Sequence, residues 1–312
     1  MEFIGLDLGG TFIKVGVVNE EGKVLRRTQI PTCAEGGRDK VLSQMEKAIK
    51  EVWKEGIGGI GIGTPGLVDK EGRVFLAPNI PGWDNLPLRA YFEKKFSLPV
   101  VVENDVNTIT WGEYLFGAGK GTRTMICITL GTGLGGGVVW EGKLLRGAKY
   151  SAVEIGHIPI NFKGPRCKCG NIGCIERYVG SRYICAMAKR GIKKGRKSLI
   201  TELVNGDLEK ITPKIISDAY KKGDELAREI WVKVGEYLGV LFSGLVNLFN
   251  PERIVIGGGV SQAGEILFES VRKTIKERAF AVLIPELEVV PAGLKQDSGI
   301  VSAASLIIRS PF

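Results

Sequence analysis

The chain has 312 residues, is 44 % hydrophobic, and carries 43 Lys and Arg against 34 Asp and Glu, a formal charge of +9. That length can bury a substantial core and exceeds the point at which single cores divide, so two lobes are expected; the absence of a leader-like N-terminus and of any uninterrupted apolar run of about 18 residues predicts a soluble, cytoplasmic protein with no membrane partner. The positive charge suits an anionic partner such as a nucleotide, but the densest basic run, Lys189 to Lys197, accompanies no nucleic-acid-binding motif and reads as a solvated helix end, so no nucleic-acid partner is expected.

Phe3 to Leu8 is apolar and β-prone, breaks at Gly9-Gly10, and resumes as a second strand from Phe12 to Val18, with a third at Lys23 to Gln29. Arg38 to Lys54 has helical spacing, with Val41, Met45, Ala48, Ile49 and Val52 on one face. Short strands follow at Ile57 to Ile62, ending in Gly63-Thr64-Pro65-Gly66, and at Val100 to Glu103, running into Asn104-Asp105 and a helix to Phe116. Met125 to Leu130 is again a strand. Beyond a polar stretch, Tyr150 to Glu176, helices are expected at Arg177 to Lys189, Pro213 to Lys222 and Asp224 to Phe249. A strand at Arg253 to Ile256 then leads through Gly257-Gly258-Gly259 into a helix from Ser261 to Arg278, and a strand at Leu287 to Pro291 into a last helix, Asp297 to Ile308. Strands interspersed with helices predict an α/β fold with ligands at the carboxyl ends of strands, where Asn104 and Asp105 would sit.

Leu6 to Arg26 (LDLGGTFIKVGVVNEEGKVLR) and Ile128 to Arg146 (ITLGTGLGGGVVWEGKLLR) share one order: strand, Leu-Gly turn, strand with Gly-Val-Val, acidic turn with Gly-Lys, strand ending in Arg. A separation of about 120 residues is far beyond solenoid periods and points to two duplicated units. Glycine turns let backbone amides approach phosphate oxygens, and two related turns with a third at Gly257 to Gly259 suggest a clamp on a polyphosphate. Gly131-x-Gly133-x-x-Gly136 matches the dinucleotide fingerprint in letters, yet a strand follows where that fingerprint needs a helix. A protein-kinase loop would need His-Arg-Asp and Asp-Phe-Gly, which do not occur, and Gly117 to Thr122 lacks the Gly-Lys-Ser/Thr of a phosphate-binding loop.

Three of the six cysteines fall within Cys167 to Cys174, a spacing unlike a secreted disulfide framework. With His157, the one histidine, Cys167, Cys169 and Cys174 supply the four ligands of a closed tetrahedral structural Zn²⁺ site. A ring nitrogen of His157 left over from the metal would then stay a fixed hydrogen-bond donor. Cys33, Cys127 and Cys185 read as small core or surface residues.

Asp7-Leu-Gly-Gly-Thr11-x-x-Lys14, Gly63-Thr-Pro-Gly66, Glu103-Asn-Asp105, Leu130-Gly-Thr-Gly133, Glu154-Ile-Gly-His157, Cys167-x-Cys169-Gly-x-x-Gly-Cys174-x-Glu176 and Ile256-Gly-Gly-Gly259, in this order, resemble the ROK sugar kinases of the actin-like and hexokinase-like ATPase superfamily. The cysteine-bearing stretch resembles the glucokinase branch. The resemblance implies two duplicated actin-like (ribonuclease H-like) lobes with an active-site cleft between them: a smaller lobe of residues 1–116 plus 297–312, closed by the C-terminal helix, and a larger one of 117–296 with the zinc segment and adenosine site. It implies an ATP-dependent hexose kinase, a glucokinase, with Asp105 as catalytic base and Asp7 holding Mg²⁺ through water. ATP would lie on Gly9, Gly10, Thr11, Lys14, Thr132, Gly133, Gly257, Gly258 and Gly259. The sugar would lie on Gly66, Asn79, Asn104, Asp105, Glu154, His157 and Glu176, and the protein would be a homo-oligomer, dimer or tetramer.

Alternatives read from the residues are an N-cap role for Asp105, an exposed strand position for Lys14 and a helix cap for Glu176. Fructose, mannose or an N-acetylhexosamine could replace glucose. The family's sugar-sensing repressors carry a DNA-binding segment ahead of the kinase-like region, for which a first strand at Phe3 leaves no room. Val153 stands where the family more often has a small residue, which bears on sugar preference.

Overall fold

The computed structural model describes residues 1–77 and 80–311; Asn79, one of the expected sugar ligands, lies outside the described residues. The chain divides into two compact units, residues 1–125, 137–153 and 292–312 forming one and 126–136 with 154–291 the other.

The first unit opens with β1 (Glu2–Leu8), β2 (Phe12–Asn19), β3 (Val24–Pro31), α1 (Gly37–Val52) and β4 (Ile57–Thr64). A small hairpin, β5 (Leu67–Val68) and β6 (Val74–Leu76), precedes α2 (Leu88–Phe96), β7 (Val100–Asn104) and α3 (Asp105–Phe116). Its sheet has the order β3-β2-β1-β4-β7. The first three strands are antiparallel hairpins, whereas β4 runs parallel to β1 and β7 parallel to β4. Alternating Ile4, Leu6 and Leu8 of β1 join Ile13 and Val15 of β2 and the predicted apolar face of α1 in one core.

Along the rest of the chain come β8 (Met125–Leu130), β9 (Leu134–Trp140), β10 (Lys143–Leu144), α4 (Glu176–Val179), α5 (Ser181–Lys193), α6 (Leu199–Leu203), α7 (Pro213–Lys221), α8 (Glu225–Phe249), β11 (Arg253–Gly257), α9 (Glu265–Arg278), β12 (Glu288–Pro291) and α10 (Ser298–Ile308). The second sheet has the order β10-β9-β8-β11-β12, the same pattern as the first. The duplication in sequence is therefore a duplication of sheets, and the fold is a two-lobed α/β one. The expected helix from Ser261 is split: a short 3-10 turn covers Gly259–Ala263, Gly264 has φ of +90, and α9 starts at Glu265. Apolar spacing runs through this stretch, so periodicity alone could not place the break.

α10 lies directly on the first sheet. A Cβ on Gly5 or Gly61 would fall 2.0 Å from the Ile300 carbonyl oxygen or 1.8 Å from that of Ala303. Only glycine at these strand positions admits so close a helix, whose own contact face is the small Ala303 and Ala304.

Glu113 of α3 is fully buried and binds the chain into this arrangement. Its Oε2 accepts the Ala118 and Gly293 amides (2.8 and 2.9 Å), and its Oε1 accepts the Leu294 amide (3.0 Å). Removing the carboxyl strands three amide donors, so Glu113→Ala is expected to cost about 3 kcal/mol. Glu113→Gln, which retains one acceptor, should cost less. Urea unfolding of the two variants against wild type checks both the size and the order.

Candidate active site

The carboxyl end of β7 carries the proposed base. Asn104, the last strand residue, is the N-cap of α3, its side-chain oxygen accepting the Val106 and Asn107 amides (2.9 and 3.2 Å). That assigns capping to Asn104 and leaves Asp105 as the first helical residue, so the N-cap alternative for Asp105 does not hold. The Asn104 amide group donates to the Gly66 carbonyl and to Asp105 Oδ1, both at 2.9 Å. Gly66 and Asn104 are thus joined directly beside Asp105. Burial pushes Asp105 up to about 6; the Val106 amide opposes that shift and the nearby Asp7 charge adds to it.

Asp7 lies near the end of β1, opposite Lys14 on β2. Burial raises its proton affinity and the Lys14 ammonium lowers it. Lys14 is exposed, as its alternative reading required, yet its charge is felt at Asp7. The turn between the strands closes through the Gly9 amide on the Phe12 carbonyl (3.0 Å) and leaves Gly10 and Thr11 exposed. Thr32 braces it: its hydroxyl donates to the Gly9 carbonyl (2.7 Å) and its amide to the Thr11 carbonyl (2.9 Å).

In the second unit the equivalent turn, Gly131 to Gly133, exposes Thr132 and is braced by Ser181, whose hydroxyl and amide both donate to the Gly131 carbonyl (2.6 and 2.9 Å). Glu176 begins α4 without capping it. Its carboxylate instead accepts the Leu134 amide (3.2 Å) and lies where a Cβ on Gly133 would come, 2.2 Å from Oε2. Gly258, at φ +88, brings its backbone against Leu130 so closely that a Cβ would fall 2.2 Å from the Leu130 oxygen. Gly258 and Gly259 are exposed, and the Ser261 hydroxyl donates to the Gly258 carbonyl (2.7 Å). The bracing hydroxyls Thr32, Ser181 and Ser261 belong to none of the motifs legible in the sequence. The first two lie 23 and 50 residues from the carbonyls they brace.

Among the described residues, one group of three or more His, Cys, Asp and Glu side chains is arranged to hold a metal: His157, Cys167, Cys169 and Cys174, with ligand atoms all within 4.8 Å of one another. His157 Nδ1 lies 3.8 Å from Cys167 Sγ, and the sulfurs of Cys169 and Cys174 are 3.7 Å apart. Zinc–sulfur bonds of about 2.3 Å at tetrahedral angles place sulfurs ~3.7 Å apart, so the donor set fits that ion. Burial pushes the Cys174 thiol up to about 12, a state that a dication among the sulfurs reverses. With Nδ1 turned to the sulfurs, Nε2 is the nitrogen directed away from the cluster. Glu154 is exposed, and its carbonyl accepts the His157 amide (3.0 Å) in the short turn Ile155–His157.

Two duplicated strand-turn-strand cradles and a half-buried carboxylate just past a strand end define the class: an actin-like ATPase fold of two lobes. The chain belongs to the ROK family, whose pattern matches residues 3–310. It is 40 % identical over 309 residues to a glucokinase of Thermotoga maritima, covering 98 % of this chain and 97 % of that protein. It is 36 % identical over 312 residues to a xylose repressor of Caldicellulosiruptor bescii, covering 98 % of this chain and 77 % of that protein. Among solved structures, a ROK family glucokinase from Streptomyces griseus in complex with glucose and AMPPNP is similar at a TM-score of 0.83 and 37 % identity, covering 98 % of this chain and 99 % of that one.

Proposed function

We propose that this chain is an ATP-dependent hexose kinase that phosphorylates the 6-hydroxyl of glucose, with Asp105 as general base. The observation that carries the reading is a half-buried carboxylate just past the end of β7, held by Asn104, whose desolvation raises its proton affinity to about 6. Such a group is ionised at neutral pH yet basic enough to accept a hydroxyl proton as the oxygen attacks. In the proposed step the sugar O6–H bond gives its proton to Asp105, a bond forms from O6 to the γ-phosphorus, and the bond from that phosphorus to the β–γ bridging oxygen breaks. ADP leaves with that electron pair, and Asp105 later returns the proton to solvent.

Phosphoryl transfer asks the protein mainly for alignment and charge neutralisation. The amides of Gly10 and Gly133, with Thr11, Lys14 and Thr132, would hold the phosphates beside Gly9, whose own amide closes the turn on Phe12, and the exposed backbone of Gly258 and Gly259, following the buried Gly257, would lie against adenosine. Asp7, half-buried, with a proton affinity that burial raises and Lys14 only partly offsets, suits a water-bridged Mg²⁺ of the nucleotide, which would neutralise phosphate charge. Zn²⁺ on His157, Cys167, Cys169 and Cys174 would fix the loop, with Nε2 of His157, Glu154 and Glu176 toward the sugar. A reducing cytoplasmic location accords with clustered free thiols, and exposed Leu248, Phe280 and Val282 give a motive for self-association into a dimer or tetramer.

Coupled ADP release measured over glucose, fructose, mannose and N-acetylhexosamines tests the reading; glucose should give the highest kcat/KM, and a clear preference for another hexose would reassign the substrate. The rate should be level above neutrality and fall about tenfold per pH unit below about 6, because the protonated carboxyl cannot accept a proton. A rate level down to pH 5 would contradict the assignment of the base. The identity with a xylose repressor favours a sugar-responsive regulator as the second reading. That reading predicts sugar binding without ADP release.

A further inference from the structure

Behind the base lies an ion pair that phosphoryl transfer does not itself require. Glu103, the residue before Asn104 on β7, is fully buried, and Arg146, in the loop after β10, is 11 % exposed, with its guanidinium nitrogen 3.3 Å from Glu103 Oε2. The other carboxylate oxygen, Oε1, accepts the Asn104 amide at 2.8 Å and the Asn107 side chain at 3.2 Å. Arg146 is held in turn over the Tyr150 ring, 4.6 Å from its centre. Buried ion pairs are poor sources of stability, since desolvation nearly cancels attraction. Their attested use is to fix one arrangement among several.

What this pair fixes is the corner from which Asp105 projects. The Asn104 amide is held by Glu103, and the Asn104 side chain caps α3, holds the Gly66 carbonyl and contacts Asp105 Oδ1. A continuous path of contacts therefore runs from Tyr150 through Arg146, Glu103 and Asn104 to Asp105. Apolar side chains of similar volume could fill the same space, but they would leave the Asn104 amide without its acceptor and the corner free to shift. In sequence, Arg146 also opens the segment that ends at Glu154, so the loop leading to a proposed sugar ligand is anchored on the strand bearing the base.

We propose that Arg146 and Glu103 are positioning residues for catalysis: their buried pair sets Asn104, and through it the Asp105 carboxylate, in the orientation needed to accept the sugar proton. The inference rests on Asp105 being the base.

The test compares wild type with Arg146→Met, Arg146→Lys, the double variant Glu103→Gln/Arg146→Met, and Asp105→Asn. Turnover is expressed per glucose-binding site titrated by calorimetry, so that any unfolded fraction cancels. Arg146→Met is expected to lose roughly ten- to hundredfold in kcat, the scale of a misplaced reacting group, with KM for glucose and ATP within about threefold. Arg146→Lys, which keeps a cation for Glu103, should recover most of the loss. The double variant, in which a glutamine oxygen still accepts the Asn104 amide beside no unpaired charge, should be faster than Arg146→Met.

Wild-type kcat per site in Arg146→Met would overturn the inference, as would a lysine variant no better than methionine or a double variant slower than Arg146→Met. If Arg146→Met does not fold, the lysine and double variants still decide. Turnover retained in Asp105→Asn would instead remove the base itself, a failure separate from that of the ion pair.

Discussion

Asp105→Asn is expected to lower kcat by roughly 10²–10⁴-fold, the range lost with a general base, while making the ligand-free protein more stable at neutral pH. The two effects share one cause. Burial lifts the Asp105 carboxyl from 3.8 to about 6, so between those values the folded protein binds a proton that the unfolded chain does not. The stabilisation this brings is fully present below the unfolded value and is lost as pH rises through about 6. At pH 7.5 an ionised carboxylate is therefore held at a cost on the order of 2–3 kcal/mol, since each tenfold rise in proton affinity corresponds to about 1.4 kcal/mol. Asparagine carries no charge to bury. Thermal unfolding of both proteins should show Asp105→Asn melting higher at pH 7.5, the gap closing toward pH 4. A variant less stable at pH 7.5 would mean that Asp105 is a structural anchor and not a strained base.

Loss of the proposed zinc site is the second large effect expected. Replacing Cys174, the fully buried ligand, with serine is expected to remove about one equivalent of zinc from the purified protein and cost about 4 kcal/mol or more, of order the loss expected with a structural metal. Glucose affinity should fall roughly ten- to hundredfold, because the ring of His157 loses the partner that fixes it, whereas KM for ATP should move little. Metal analysis, thermal unfolding and glucose calorimetry on the same preparations check the three parts. An unchanged glucose affinity in the zinc-free protein would show that the cluster does not organise the sugar site. An absence of zinc from wild type, with full stability, would dismiss the ion altogether.

Legibility in the sequence followed the range of the interactions. The duplicated Leu-Gly turns are local and periodic, and they appear as equivalent strands in two sheets of the same order. The cluster of His157, Cys167, Cys169 and Cys174 was readable because three ligands sit within eight residues and nothing competes with the one histidine. The stretch between Gly66 and Val100 was not readable: the β5/β6 hairpin has strands of two and three residues, and α2 has only nine. Glu103 and Arg146 lie 43 residues apart, and Glu113 meets Gly293 across 180. No spacing rule reports such a contact. At Asn104-Asp105 either residue could cap α3 by type; the bonds to Val106 and Asn107 give the cap to Asn104, while Asp105 shares the Val106 amide from the first helical position.

The most direct test of the central claim is to incubate the protein with Mg-ATP and glucose and follow ADP by a coupled assay and the product by phosphorus NMR. Wild type should form one glucose 6-phosphate per ADP, and Asp105→Asn should form it at a rate lower by two orders of magnitude or more, as roughly expected for a lost base. No sugar phosphate from glucose or any other hexose, or an undiminished rate in Asp105→Asn, would contradict the account.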